Sequence, residues 1–400
     1  MTKRTVLAAL VASALLGLTA CSTSSSGNSA ASNAKGSPVA VGAICSCTGA
    51  YADNFDSVGR TVKAWAQSVN ATGGIGGHPV NLIFKDDASN PGNSVTAAQS
   101  LISQHVAVII DTTLLSPTWQ KEAASAKIPV VGGDLTAASF YTDPDFFPSG
   151  GTLDHTAYAD VVTAKQAGAT NMGVIYCAEV PDCQEVFKQI KNAGQELNLP
   201  VVYSSAVSLT APSYTAQCVG AKAAHVTSLF IGSNATGFAR VASDCHKQGY
   251  DPIYIEEGDG FKMFLASSTG LKDKLWVPFP VLPMFAGDPV VQRLNAALDK
   301  YSPGLRKSTG YSQYAVEAWT AGLLIEAAIK KSGAASNATV PAERVTTALN
   351  SLKGETLGGF SPSLTFTAGQ PHSTDCWYVG HAVNGVPTLV NGGKLTCKNS

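Results

Sequence analysis

Residues 49–96 read GAYADNFDSVGRTVKAWAQSVNATGGIGGHPVNLIFKDDASNPGNSVT, and this stretch decides the fold because it strings together a loop, a helix, a glycine brake, a strand and a second helix start. With Thr48, its opening TGAYADNFDS is a loop. In the helix that follows, Val58, Val62, Trp65 and Val69 recur at spacings of four, three and four, so they form one apolar stripe that must face a core. The glycines of Asn70-Ala71-Thr72-Gly73-Gly74-Ile75-Gly76-Gly77 can enter the left-handed region, end the helix and turn the backbone sharply. A strand from Pro79 to Phe84 runs into Asp86-Asp87, whose carboxylates are read as organisers of the turn. Asn90-Pro91 then starts another helix carrying Val95, Ala98 and Leu101.

Outward from this unit the same order repeats. Strands at about 39–45, 80–85, 106–111 and 128–131 alternate with helices starting near 56, 92 and 116; a second series, with strands near 172–176, 200–207, 227–231 and 253–256, alternates with helices near 182, 213 and 236. Alternation of this kind belongs to parallel sheets covered on both faces, here doubly wound and used twice. Helical segments near 288, 311 and 341 do not extend the second series, and short strands are expected at 364–366 and 377–379.

The N-terminus reads as an export signal. Lys3 and Arg4 precede an apolar run from Val6 to Ala20 that is short for a membrane span. The run ends Leu18-Thr19-Ala20-Cys21, which looks like the lipobox of bacterial lipoproteins, so Cys21 is expected to carry lipid. Residues 21–37, rich in Ser, Asn, Gly and Ala, form a flexible tether. No later segment is long and apolar enough to cross a bilayer. Loss of the two signal cations moves the formal charge from -1 to -3, and no basic stripe remains for nucleic acid. A body of roughly 360 residues suits two domains.

Nine cysteines are present, and those other than Cys21 are even in number, as expected of disulfides in an oxidising compartment. Local geometry favours Cys177 with Cys183, Cys218 with Cys245 and Cys376 with Cys397, leaving Cys45 and Cys47 for each other. No CxxC pair or histidine cluster points to a metal. His78 in its turn and His246 on its helix are read as surface groups.

The TG opening, the VNATGGIGGHPV turn, the KDDASNP strand end and the SAKIPVV strand together resemble the extracytoplasmic solute-binding proteins of ABC importers, specifically the leucine/isoleucine/valine-binding family of type I periplasmic binding proteins. The resemblance implies two lobes joined by a three-crossover hinge: residues 38–154 and 281–355 in lobe 1, and 155–280 and 356–400 in lobe 2. It places the site beyond the carboxyl ends of the strands, where open parallel sheets bind ligands. Thr113 falls at the family's carboxylate-binding serine, next to Ser116, which can cap a helix with Pro117 at its first position. Asp134 and Thr136 fall where the family holds both ends of an amino acid, although Asp134 replaces a small residue. Glu257 falls at the carboxylate that meets the ligand's ammonium through a charge-assisted bond. Asn54 and Asn234 stand where leucine-type proteins carry aromatics at the cleft. Tyr51, Phe55, Trp119 and Phe261 are candidates to rebuild that wall.

An enzyme is the rival class, since the fold hosts many reactions. GxSxG, HExxH, GxxxxGK[ST] and a GxGxxG between strand and helix are all missing. A ligand-sensing receptor domain is a further rival, set against a chain that stops at Ser400 without an output domain. The reading that results is a monomeric, lipid-anchored solute-binding protein without cofactor or metal. Its expected ligand is an amino acid of branched-chain or related type for an ABC permease, with an aromatic acid or small amide as the alternative.

Overall fold

A computed structural model describes residues 33–179 and 181–398. The signal segment, Cys21 and the first part of the tether lie outside the described residues. The first sheet consists of β1 (Val39–Cys45), β2 (Val80–Asp86), β3 (Val108–Thr112), β4 (Val130–Gly132) and β5 (Phe146–Phe147), all parallel in the order β2-β1-β3-β4-β5. Every residue of β3 is buried, as a strand covered on both faces requires.

Helix Val58–Ala71 buries Val58, Val62, Trp65 and Val69. It packs against helices Pro289–Tyr301 and Tyr314–Lys331, so the segments near 288 and 311 return to the first lobe. The Trp65 ring lies over Gly322 of the latter helix, where an added Cβ would come within 2.5 Å of it, and its Nε1 donates to Glu326 at 3.1 Å. Gly73 and Gly74, at φ 100° and 76°, end the helix. One expectation fails here: His78 is buried, with Nδ1 2.8 Å from the Ser37 carbonyl oxygen, because the turn folds back over the N-terminal segment. His246, beside Asp251, is on the surface as expected.

The second lobe contains β6 (Met172–Cys177), β7 (Val201–Val207), β8 (Ser228–Gly232), β9 (Ile253–Ile255) and β10 (Leu275–Phe279), parallel in the order β10-β9-β8-β6-β7. The chain returns to the first lobe for the ribbon β11 (Lys353–Glu355) and β12 (Leu364–Thr365). It finishes in the second sheet with β13 (Cys376–Val383) antiparallel on β10, β14 (Val386–Leu389) on β13, and β15 (Thr396–Cys397) also on β13. The strand at 364–366, expected in the second lobe, thus pairs with β11 instead.

The short strands β5, β11, β14 and β15 had no sequence counterpart, and neither did two longer elements. Helix Leu153–Gln166 buries small and polar residues on several sides and carries no clean stripe. In β10, Pro278 weakens the strand signal. The three crossings between lobes run side by side: Gly151 N–H donates to the Pro280 carbonyl at 3.2 Å, and His372 of the third segment stacks on Phe147.

All four disulfides join the expected partners, Cys45–Cys47, Cys177–Cys183, Cys218–Cys245 and Cys376–Cys397. Each ties neighbouring elements of one lobe. Among the described residues no helix is long and apolar enough to cross a membrane, and no His/Cys/Asp/Glu group is arranged to hold a metal.

Candidate functional site

The carboxyl ends of the two sheets face each other across a cleft of about 820 Å³, its open mouth included. Lobe 1 contributes Tyr51, Asp53 and Asn54 from the turn after β1, Leu114 after β3, Thr136 after β4, and Tyr314 from a returning helix. Lobe 2 contributes Leu153, which packs with the core of the second lobe although 38–154 was expected in lobe 1, the Cys177–Cys183 disulfide, Val186, Leu209, the Ile231–Asn234 segment after β8, and Glu256, Glu257 and Gly260 after β9.

Of the residues singled out from sequence, Asn54, Thr136, Asn234 and Glu257 meet on this surface. Asn234 also caps helix Ala235–Lys247, its Oδ1 accepting from Gly237 N–H at 2.8 Å. Thr113, Ser116 and Asp134 lie behind the wall, fully buried. Thr113 Oγ1 donates to Asp87 Oδ2 at 2.7 Å and lies 2.7 Å from Ser46 Oγ. Ser116 does not cap a helix: residues Ser116–Thr118 form a single 3₁₀ turn, and its hydroxyl donates to Ser139 at 3.4 Å. Asp134 Oδ1 accepts from both the N–H and the hydroxyl of Thr136, at 3.2 and 2.7 Å, and so orients the residue that reaches the cleft. Asp87 also closes its own turn, Oδ1 accepting from Ser89 N–H.

Among the wall aromatics, Tyr51 lines the cleft, whereas Phe55, Trp119 and Phe261 are core residues. Phe55 packs on Tyr314, Trp119 on Phe146, and Phe261 on Phe279 and Phe285. Sequence reasoning missed Tyr314, Glu256 and the Cys177–Cys183 bridge as cleft wall. Glu256 stood next to Glu257 at the same strand end, but that both adjacent acids reach the cleft is not written in the sequence.

Carboxyl groups dominate the electrostatics. Asp160, Glu256, Asp259 and Glu317 are all buried. Burial raises Glu256, with Asp259 adding to the effect. It also raises Asp160, helped by Glu257, Glu256 and Asp259. Asp259 of lobe 2 and Glu317 of lobe 1 interact electrostatically; burial pushes Asp259 up to about 7, and burial together with the charge of Asp259 pushes Glu317 well above its usual range. Such a pair retains a proton because two neighbouring like charges in a dry seam are not both ionised. At the cleft rim the buried ammonium of Lys262 meets Asp53 Oδ1 at 2.9 Å, an ion pair between lobes.

Residues 38–386 match the model of the periplasmic binding protein family. The chain belongs to that family. This periplasmic binding protein is similar in structure to a fatty acid ABC transporter substrate-binding protein from Thermomonospora curvata (TM-score 0.75, 16% identity, 90% of this chain and 92% of that one). It is also similar to a leucine-binding protein from Thermotoga maritima (0.73, 14%, 90% and 99%). A third likeness is to a solute-binding protein of an ABC transporter from R. palustris in complex with 4-hydroxybenzoate (0.73, 18%, 90% and 97%). A comparison with curated protein sequences returns no match. At these identities the likeness establishes a type I binding-protein fold with two lobes. The family comprises extracytoplasmic solute-binding proteins, which hold a small ligand and deliver it to an ABC transporter.

Proposed function

We propose that this periplasmic binding protein is a monomeric, lipid-anchored receptor that captures an amino acid of branched-chain or related type in the interlobe cleft, delivers it to an ABC permease, and catalyses no reaction. The observation that carries the reading is the placement of Glu257 on lobe 2 opposite Tyr51, Asn54 and Thr136 on lobe 1, so that one small molecule with an ammonium group touches both lobes and favours closure. Leu114, Leu153, Val186, Leu209 and Ile231 supply an apolar lining for an aliphatic side chain. The Leu18-Thr19-Ala20-Cys21 motif supports the lipid anchor.

Thermal-shift screening against amino acids, aromatic acids and small amides tests the reading, because a ligand that binds only the folded state raises its melting temperature. A selective rise with aliphatic amino acids is expected; a rise confined to aromatic acids or amides would replace the ligand class.

A further inference from the structure

The cleft is lined with acceptors and lacks a positive charge of its own. Among the described residues that line it there is no lysine, arginine or histidine, whereas Asp53, Glu256 and Glu257 all reach its surface. Lys262, the ammonium beside it, is already engaged by Asp53. Glu256 is 3% exposed, lines the cleft, and has no hydrogen-bond partner at Oε2. On the facing wall Asp53 Oδ2 and Asn54 Oδ1 are likewise buried acceptors without a donor. Behind Glu256 stand the buried carboxyls of Asp160, Asp259 and Glu317.

Buried acceptors are costly until a donor reaches them, and an uncompensated buried carboxylate costs more still. A ligand that brings N–H donors and positive charge removes both costs. A zwitterion satisfies Glu256 with its ammonium but adds no net positive charge to the acidic wall, and a simple anion such as a benzoate adds charge of the wrong sign. Resting on the reading of this cleft as the solute site, we propose that its ligand is an organic cation of net positive charge: an alkyl amine, a diamine or a basic amino acid. Glu256 meets the charged group, the Asp53–Asn54 turn accepts its remaining N–H bonds, and Leu114, Val186 and Ile231 cover the alkyl chain.

Titration calorimetry on the full chain with putrescine, agmatine, L-lysine, L-leucine and 4-hydroxybenzoate tests this. At least one of the three cations should bind about tenfold or more tightly than leucine or 4-hydroxybenzoate, the scale of a hydrogen bond to a charged group. Glu256→Gln, checked for an intact melting transition, should weaken that cation by a similar factor. The ranking on the unaltered chain decides the matter even if the variant does not fold. Tighter binding of leucine overturns the inference and leaves amino-acid capture standing. Tighter binding of 4-hydroxybenzoate, or heat from none of the five, overturns both. Binding of the amines without lysine supports the inference while removing the amino-acid reading, and tighter binding of lysine than of leucine supports the inference while changing the amino acid from branched-chain to basic type.

Discussion

Glu256 and Glu257 are adjacent in the chain and both reach the cleft, yet only Glu257 was singled out from sequence. Replacing Glu257 by Gln keeps the shape and removes the charge. The change should weaken a ligand bearing an ammonium group by about 1.5–3 kcal/mol and leave a simple aromatic carboxylate nearly unaffected. Calorimetry on both proteins reads this directly, and undiminished affinity for the ammonium ligand takes Glu257 out of the site. Asp134 acts one step further back, through Thr136. The strand-end rule located these loops. It could not tell which side chains turn to the cleft and which turn into the lobe: Leu114 lines the cleft while its neighbour Thr113 is held in the Asp87–Ser46 network behind it.

Helices with one apolar stripe were legible at the element scale, and those buried on several sides were not. Helix Val58–Ala71 announced itself through Val58, Val62, Trp65 and Val69, whereas Leu153–Gln166 buries Thr156, Asp160 and Thr163 beside its alanines and shows no period. The seam between Trp65 and Gly322 has no room for one methyl group more. Gly322→Ala should therefore destabilise the protein by about 1–3 kcal/mol, the usual cost of overpacking, as measured by urea unfolding; a neutral result would mean that the indole moves aside. The Cys218–Cys245 bridge, with a separation of 27 residues, restrains the unfolded chain between two neighbouring helices. Removing it as the paired alanine variant should cost about 3–4 kcal/mol on chain-entropy grounds, read from the same unfolding curves.

For the molecule as a whole, the seam between lobes ties stability to pH. Burial raises Asp111, Asp160, Glu256, Asp259 and Glu317. A carboxyl whose folded pKa lies above its unfolded value binds more protons folded than unfolded, so its stabilisation is complete below the unfolded value near 4 and is lost as pH rises through the folded one. For Asp259 that window extends up to about 7. His372, lowered to about 4 by burial, acts in the opposite sense and loses stabilisation as pH falls toward that value. With the carboxyls in the majority, the melting temperature of the ligand-free protein should fall between pH 5 and pH 8, and Glu317→Gln should flatten the slope; a melting temperature that rises across this range contradicts the account. Ligand should also close the cleft, detected as a smaller radius of gyration in solution scattering. The sequence by itself determined most of the alternation of strands and helices, the doubly wound class and the disulfide partners, because periodicity, turn chemistry and short loop closures are local. Only the tertiary structure decided that carboxyls from three separate parts of the chain, at residue 160, at 256 and 259, and at 317, are buried in or behind the wall of one cleft. Burial and the charge of neighbours distant in the chain are properties of the packed whole, and no window of sequence contains them.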